Sequence, residues 1–215
     1  MQANIRQKVP AMGNNTVKMT IVGVPEIPEK PYLRLPSVVS EINKIRSVVG
    51  DHRTHTLLGK EATLDNVSSH LTVSPWLHLA CHGQQNQAEP LKSGLLLYDG
   101  KLELAQILKS SLPNAEFVFL SACQTAMGDT NLVNESMHLA GGLIFAGFHG
   151  AIGTLWNIMD SDGPKVAEIV YQQLFANGKS GEVMETAEAL HIAVQKLRDG
   201  GASFQQWVPF IHMGV

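Results

Sequence analysis

Two segments of this chain end an apolar run in a side chain suited to nucleophilic chemistry. Trp76-Leu77-His78-Leu79-Ala80-Cys81-His82-Gly83 delivers an imidazole, and Phe117-Val118-Phe119-Leu120-Ser121-Ala122-Cys123-Gln124-Thr125 delivers a thiol. A thiol attacks a carbonyl as its thiolate, and a free cysteine is mostly protonated at neutral pH. An adjacent imidazole, with an unperturbed pKa of roughly 6.5, can take that proton or hold the thiolate as an ion pair. His82 and Cys123 are therefore the candidate base and nucleophile. Gly83 lets the backbone approach a substrate closely. Its amide and that of Cys123 are candidate oxyanion donors, a kind of contact worth about 2.7 to 4 kcal/mol in a transition state.

Such a pair works only if the fold sets the two segments side by side. Short apolar runs bounded by Gly or polar residues read as buried strands of a parallel sheet, and chemistry in open α/β sheets collects at the carboxyl ends of strands. The pattern along the chain fits. Strands are expected at 17–24, 54–58, 76–80, 93–98, 116–121 and 151–156, with a last one at 207–213 placed at an edge by Pro209. The strand at 93–98 ends in the turn Asp99-Gly100, and 25–36, with four prolines, reads as a loop. Helices are expected at 102–108 and 135–148, the latter N-capped by Asn134. Val38, Ile42, Ile45 and Val49 share one helical face behind an N-cap at Ser37, and Thr63 caps a helix through Leu71. Val166, Ile169, Val170 and Leu174 mark a further helix, and Val183, Ala187, Leu190, Val194 and Leu197 another. Strands alternating with helices imply a mostly parallel sheet sandwiched by helices. The polar segment 84–92, without a strand pattern, reads as a flap beside His82.

The chain has 215 residues, 44% hydrophobic and 16% charged, with net charge −3, which fits one domain with a sizeable core. We read 1–16 as a flexible segment and 17–215 as the domain. No basic stripe points to nucleic acid, and no apolar run reaches the roughly 18 to 20 residues that span a bilayer. Two cysteines make no disulfide framework, so a reducing, cytoplasmic setting is expected. No cofactor or metal is expected: His78, His138, His149, His191 and His212 have no ligand spacing with Cys, Asp or Glu, and no dinucleotide fingerprint or serine-hydrolase elbow is present. Cys81 rivals Cys123 as the thiol. Neighbouring strand residues face opposite sides, so Cys81 reads as packing. A strand-end cysteine is also an ordinary small hydrophobe, and a redox-sensing thiol is a weaker alternative because the two cysteines form no C-x-x-C pair.

The two motifs together resemble those of CHAT domains, caspase-like domains of peptidase clan CD that commonly follow tetratricopeptide repeats. The resemblance continues through Leu35-Pro36 with Glu41, Leu57 to Thr63, the helix 135–147, Gly153-Thr154-Leu155-Trp156 with Asp160, and Trp207-Val208-Pro209-Phe210 with Gly214. Many members carry Thr or Ser where Cys81 stands. The resemblance implies a three-layer α/β/α, caspase-hemoglobinase-like fold and cysteine endopeptidase activity on protein or peptide substrates. It matches His82 to the general base, Cys123 to the nucleophile and Gly83 to the glycine after the catalytic His. It also implies a repeat or other regulatory region as an upstream partner. Members of the clan often read an Arg or Lys through an acidic pocket, for which Asp99, Asp129 and Asp160 are the candidates. The alternative function is a catalytically silent caspase-like module for interaction or regulation.

Overall fold

Residues 76–80 and 117–120 are apolar at nearly every position, which suits strands covered on both sides. That is how they are used. A computed structural model describes residues 19–28, 30–84, 86, 88–121, 135–156, 158–176 and 179–214, with 135–138 as backbone only. The central sheet is built from β1 (Met19–Gly23), β2 (Thr54–Leu58), β3 (Trp76–Ala80), β7 (Phe117–Leu120), β8 (Gly150–Thr154) and β9 (Phe210–Gly214). Their order across the sheet is β2-β1-β3-β7-β8-β9. All pair in parallel except β9, which runs antiparallel to β8. Successive side chains alternate between two cores. Ile21, Trp76, Ala80, Phe117, Phe119 and Ile152 face one; Val22, Leu77, Leu79, Val118, Leu120 and Ala151 face the other. This is the period of two of a strand.

Helices α1 (Val38–Val49), α5 (Gly163–Phe175) and α6 (Thr186–Asp199) cover the first face. Helices α2 (Leu64–Val73), α3 (Leu104–Lys109) and α4 (Glu135–Ala146) cover the second. The three-layer α/β/α arrangement expected from the sequence is the one found. Among the described residues, no helix is long and apolar enough to cross a membrane.

Three short elements differ from the sequence expectation, because each depends on partners distant in sequence. Strands β4 (His82–Gln84), β5 (Gly94–Leu96) and β6 (Lys101–Glu103) form a small antiparallel sheet. The expected strand 93–98 is thus shortened at both ends, and part of the expected flap is β4. The Asp99-Gly100 turn is present, with Leu97 N donating to Gly100 O. The expected strand at 207–213 begins later. Ser203 and Gln206 cap each other's backbone, starting a one-turn helix α7 (Phe204–Trp207) before β9. Helix α4 ends at Ala146, where Gly147 adopts φ 134°, and its expected cap Asn134 lies outside the described residues.

The small sheet tolerates no side chain at Gly94, where a Cβ would collide with the carbonyl oxygen of Leu102 and come within 2.9 Å of Glu103 Cα. Gly94→Ala is expected to cost about 2 to 3 kcal/mol, the upper range for overpacking, read by urea denaturation. A loss below about 0.5 kcal/mol, the level of neutral surface changes, would mean that β5 and β6 do not pair this way. His212 on β9 is half-buried, and burial lowers its pKa from the usual histidine value. Its Nε2 lies 2.9 Å from Thr186 Oγ1, which donates its own proton to Val183 O. The native state therefore binds fewer protons than the unfolded chain below about pH 6.5. Its contribution to stability should fall as pH drops through that value. Unfolding free energies at pH 7.5 and 5.5 should differ less in His212→Gln than in the wild type.

Candidate active site

Parallel strands leave the sheet at a common edge, so the segments after β3 and after β7 emerge beside each other if those strands are neighbours. They are: His78 pairs with Phe119 and Leu79 with Leu120. The next positions, Ala80 and Ser121, are level at the carboxyl edge. From Ala80 the chain bends at Cys81 and enters β4 with His82. From Ser121 it runs toward Cys123, which lies outside the described residues, as does Asp129.

His82 is held rather than exposed. It is 4% accessible and opens β4 opposite Leu96, with Gly83 opposite Leu95. Leu95, Leu96, Leu97 and Leu102 root this small sheet in the core beneath α2, α3 and α4. His82 is thereby anchored by apolar burial on the strand that it opens. Cys81 is fully buried in the same core, consistent with packing.

Asp99 and Asp160 occupy a common structural role. In a parallel sheet the helices begin where the strands end, so the carboxyl edge is lined with unsatisfied helix N–H groups that favour carboxylates. Asp160 Oδ2 accepts from Ser37 N at 2.7 Å, fastening the start of α1 to the loop after β8. Ser37 itself makes no side-chain cap bond, contrary to the expectation for that residue: its backbone is helical, with φ −79° and ψ −13°, rather than extended as in a side-chain cap. Asp99 Oδ1 accepts from Leu64 N at 2.8 Å, beside the cap that Thr63 supplies to Asn66 N. The two acids serve helices on opposite faces of the sheet.

A cavity of about 410 Å³ opens beside this small sheet, floored by Ile27, Leu96 and Leu97, with Gln84 and Tyr98 on its wall. Asp99, Lys30 and Lys101 stand around it. Lys101 is drawn to Lys92 O at 2.7 Å and Glu103 Oε1 at 3.3 Å. The lining is apolar with mixed charge, unlike an acidic slot for Arg or Lys.

Sequence reading missed the buried polar groups behind this edge. Asp162 is fully buried and takes Lys165 Nζ at 3.1 Å and Gln206 Nε2 at 3.1 and 3.2 Å. Glu41, His78 and Tyr171 meet under β3. The available signal was Glu41 itself, a charge on the same helical face as Val38, Ile42 and Ile45. Among the described residues, no group of three or more His, Cys, Asp or Glu is arranged to hold a metal ion.

A mostly parallel six-stranded sheet between helices, with β3 and β7 adjacent and antiparallel β9 at one edge, defines a caspase-like α/β/α protein. The CHAT domain family model matches residues 2–215, and the chain belongs to that family. The match begins well before residue 17, the first residue of the domain expected from the sequence. The fold is similar to a chain of the Saccharomyces cerevisiae separase–securin complex, with TM-score 0.58 and 17% identity over 94% of this chain and 12% of that one. It is similar too to Porphyromonas gingivalis RgpB in its pro- and mature-domain complex, with TM-score 0.56, 13% identity and coverage of 93% and 47%. A third similar structure is the Arg-specific cysteine proteinase gingipain R, with TM-score 0.53, 15% identity and coverage of 93% and 46%. The chain therefore spans less than half the length of these neighbours. A search of the curated proteins finds no match.

If Asp160 and Asp99 act as caps, Asp160→Ala and Asp99→Ala should each lower stability by about 1 kcal/mol, the usual worth of a capping side chain. Urea denaturation checks this, and unchanged midpoints in both would refute the assignment.

Proposed function

We propose that this chain is a cysteine endopeptidase in which His82 activates Cys123. The observation that carries the reading is the direct parallel pairing of β3 with β7: it brings the segment ending in His82 and the segment leading to Cys123 to one edge of one sheet. Membership of the CHAT family and the fold shared with cysteine proteinases support it. In this mechanism the imidazole of His82 takes the proton of the Cys123 thiol. The thiolate adds to the substrate carbonyl, and the amides of Gly83 and Cys123 face the developing oxyanion. His82 returns the proton to the leaving amine, and water then releases the acyl group from sulfur. The substrate is a protein or peptide. The domain spans 17–215, in a reducing compartment such as the cytoplasm, with a repeat or other regulatory region as the natural neighbour. Asp99, Asp129 and Asp160 are the candidate acids for reading an Arg or Lys side chain; Asp99 and Asp160 each also accept a backbone N–H at a helix start.

Cys123→Ala should abolish cleavage of peptides or of the chain's own flanks. His82→Ala should lower kcat by about 10² to 10⁴, the range for a lost acid–base group. A folded Cys123→Ala variant with wild-type activity would end the proposal. A wild-type thiol no more reactive than a free cysteine, with no cleavage, would favour the silent interaction module.

A further inference from the structure

The core between β3 and helices α1 and α5 holds a chain of hydroxyl, imidazole and carboxylate that the His82–Cys123 chemistry does not use. His78 is fully buried and Glu41 is 3% exposed. Glu41 Oε1 lies 3.1 Å from His78 Nε2, off the line along which a ring N–H donates. His78 Nδ1 lies 3.2 Å from the hydroxyl of Tyr171, itself fully buried. Burial first, and Glu41 second, raise the Tyr171 pKa well above its usual value. The phenol therefore keeps its proton and can donate to His78 Nδ1. The composition is that of a catalytic triad, but no peptide reaches a hydroxyl with no exposed surface.

Stability does not account for this network. Removing a carboxylate and an imidazole from water costs several kcal/mol per ion, and well-packed apolar residues are often as good or better. The surroundings (Ile21, Phe119, Ala167 and Val170) are apolar, so an apolar trio would suit them. Departures of this kind gather where function constrains a fold.

The network sits at the root of the active-site loop. The His78 ring packs on Phe119, centroids 5.1 Å apart, and Phe119 packs on Tyr171 at 6.0 Å. Ser121 comes two positions after Phe119 and two before Cys123. At the first turn of α5, a Cβ on Gly163 would meet Ser121 Oγ at 2.6 Å and Glu41 Oε1 at 3.7 Å. The serine hydroxyl and the buried carboxylate thus close on the same bare backbone. Asp160 ties the start of α1, the helix that carries Glu41, to the loop just before α5.

We propose that Glu41, His78 and Tyr171 form a buried positioning network that fixes the end of β7 at Ser121 and thereby sets the reactivity of the Cys123 thiol. This rests on the peptidase reading for its consequence in catalysis, but not for its effect on the thiol.

The test uses the full chain. The rate of Cys123 alkylation by iodoacetamide is followed, with the labelled site read by peptide mass spectrometry so that Cys81 is not counted, beside kcat and KM for peptide cleavage. Glu41→Gln keeps the shape and removes the charge; it should slow alkylation about tenfold, as misplacement of a reacting group does. It should also lower kcat with KM within about twofold. Glu41→Asp should recover part of the loss. Tyr171→Phe removes one hydroxyl from a packed ring and should slow alkylation about threefold, one modest hydrogen bond's worth. Glu41→Gln combined with Ser121→Ala should cost no more than the larger single change, since on this proposal both act on the position of the end of β7. Alkylation within about twofold of wild type in folded Glu41→Gln and Tyr171→Phe overturns the proposal, as does simple additivity with Ser121→Ala. If Glu41→Gln does not fold, Tyr171→Phe decides. A wild-type chain that cleaves nothing defeats the peptidase reading, while the alkylation ratios still decide the role of the network.

Discussion

Burial of both faces of the central sheet is the constraint on which the other features depend. Its inner strands have no solvent side, so reactive groups can reach a substrate only from the strand ends. His78 and His82 illustrate the consequence. Both belong to one run of seven residues, yet His78 lies within the pleat and is locked between helices, while His82 lies just past the strand, where the chain has bent into a second small sheet. Four positions separate a core residue from a candidate base.

The same geometry explains the acids. A helix that succeeds a parallel strand starts at the carboxyl edge, so that edge collects unsatisfied N–H groups and the positive ends of helix dipoles. Asp160 and Asp99 answer two of those helix starts, and Asp162 precedes a third, α5. A carboxylate near an active edge is thus as readily a structural fastener as a reader of substrate charge. Only its partners distinguish the two.

The Glu41–His78–Tyr171 chain has the opposite character. It joins α1, β3 and α5 through the middle of an apolar layer, and it touches the aromatic side chain that leads to Ser121. Apolar packing alone would hold these elements together but would allow small slips, because dispersion contacts have little directionality. Buried polar contacts fix direction as well as distance.

Much of this was legible in the residues. Continuous apolar runs marked most strands, since both faces of the sheet are buried, and period-3.6 patterns marked most helices, since each buries one face. The abrupt ends of two apolar runs marked His82 and Cys123 as candidates. What the residues alone left open was decided by contacts between distant segments. Strands β4 and β6 of three residues have too few positions to show a period and exist because they pair with β5. The start of α1 is capped from 123 positions away, which no local pattern around Ser37 could display. Glu41 stood out on an apolar helical face, but the imidazole and phenol that make its burial tolerable come from β3 and α5. Sequence by itself determined where apolar surface must be hidden, and hence the layers and the edge where chemistry collects. Tertiary structure alone decided which polar groups meet, because hydrogen bonds and charge pairs act over a few ångströms and depend on how the layers dock.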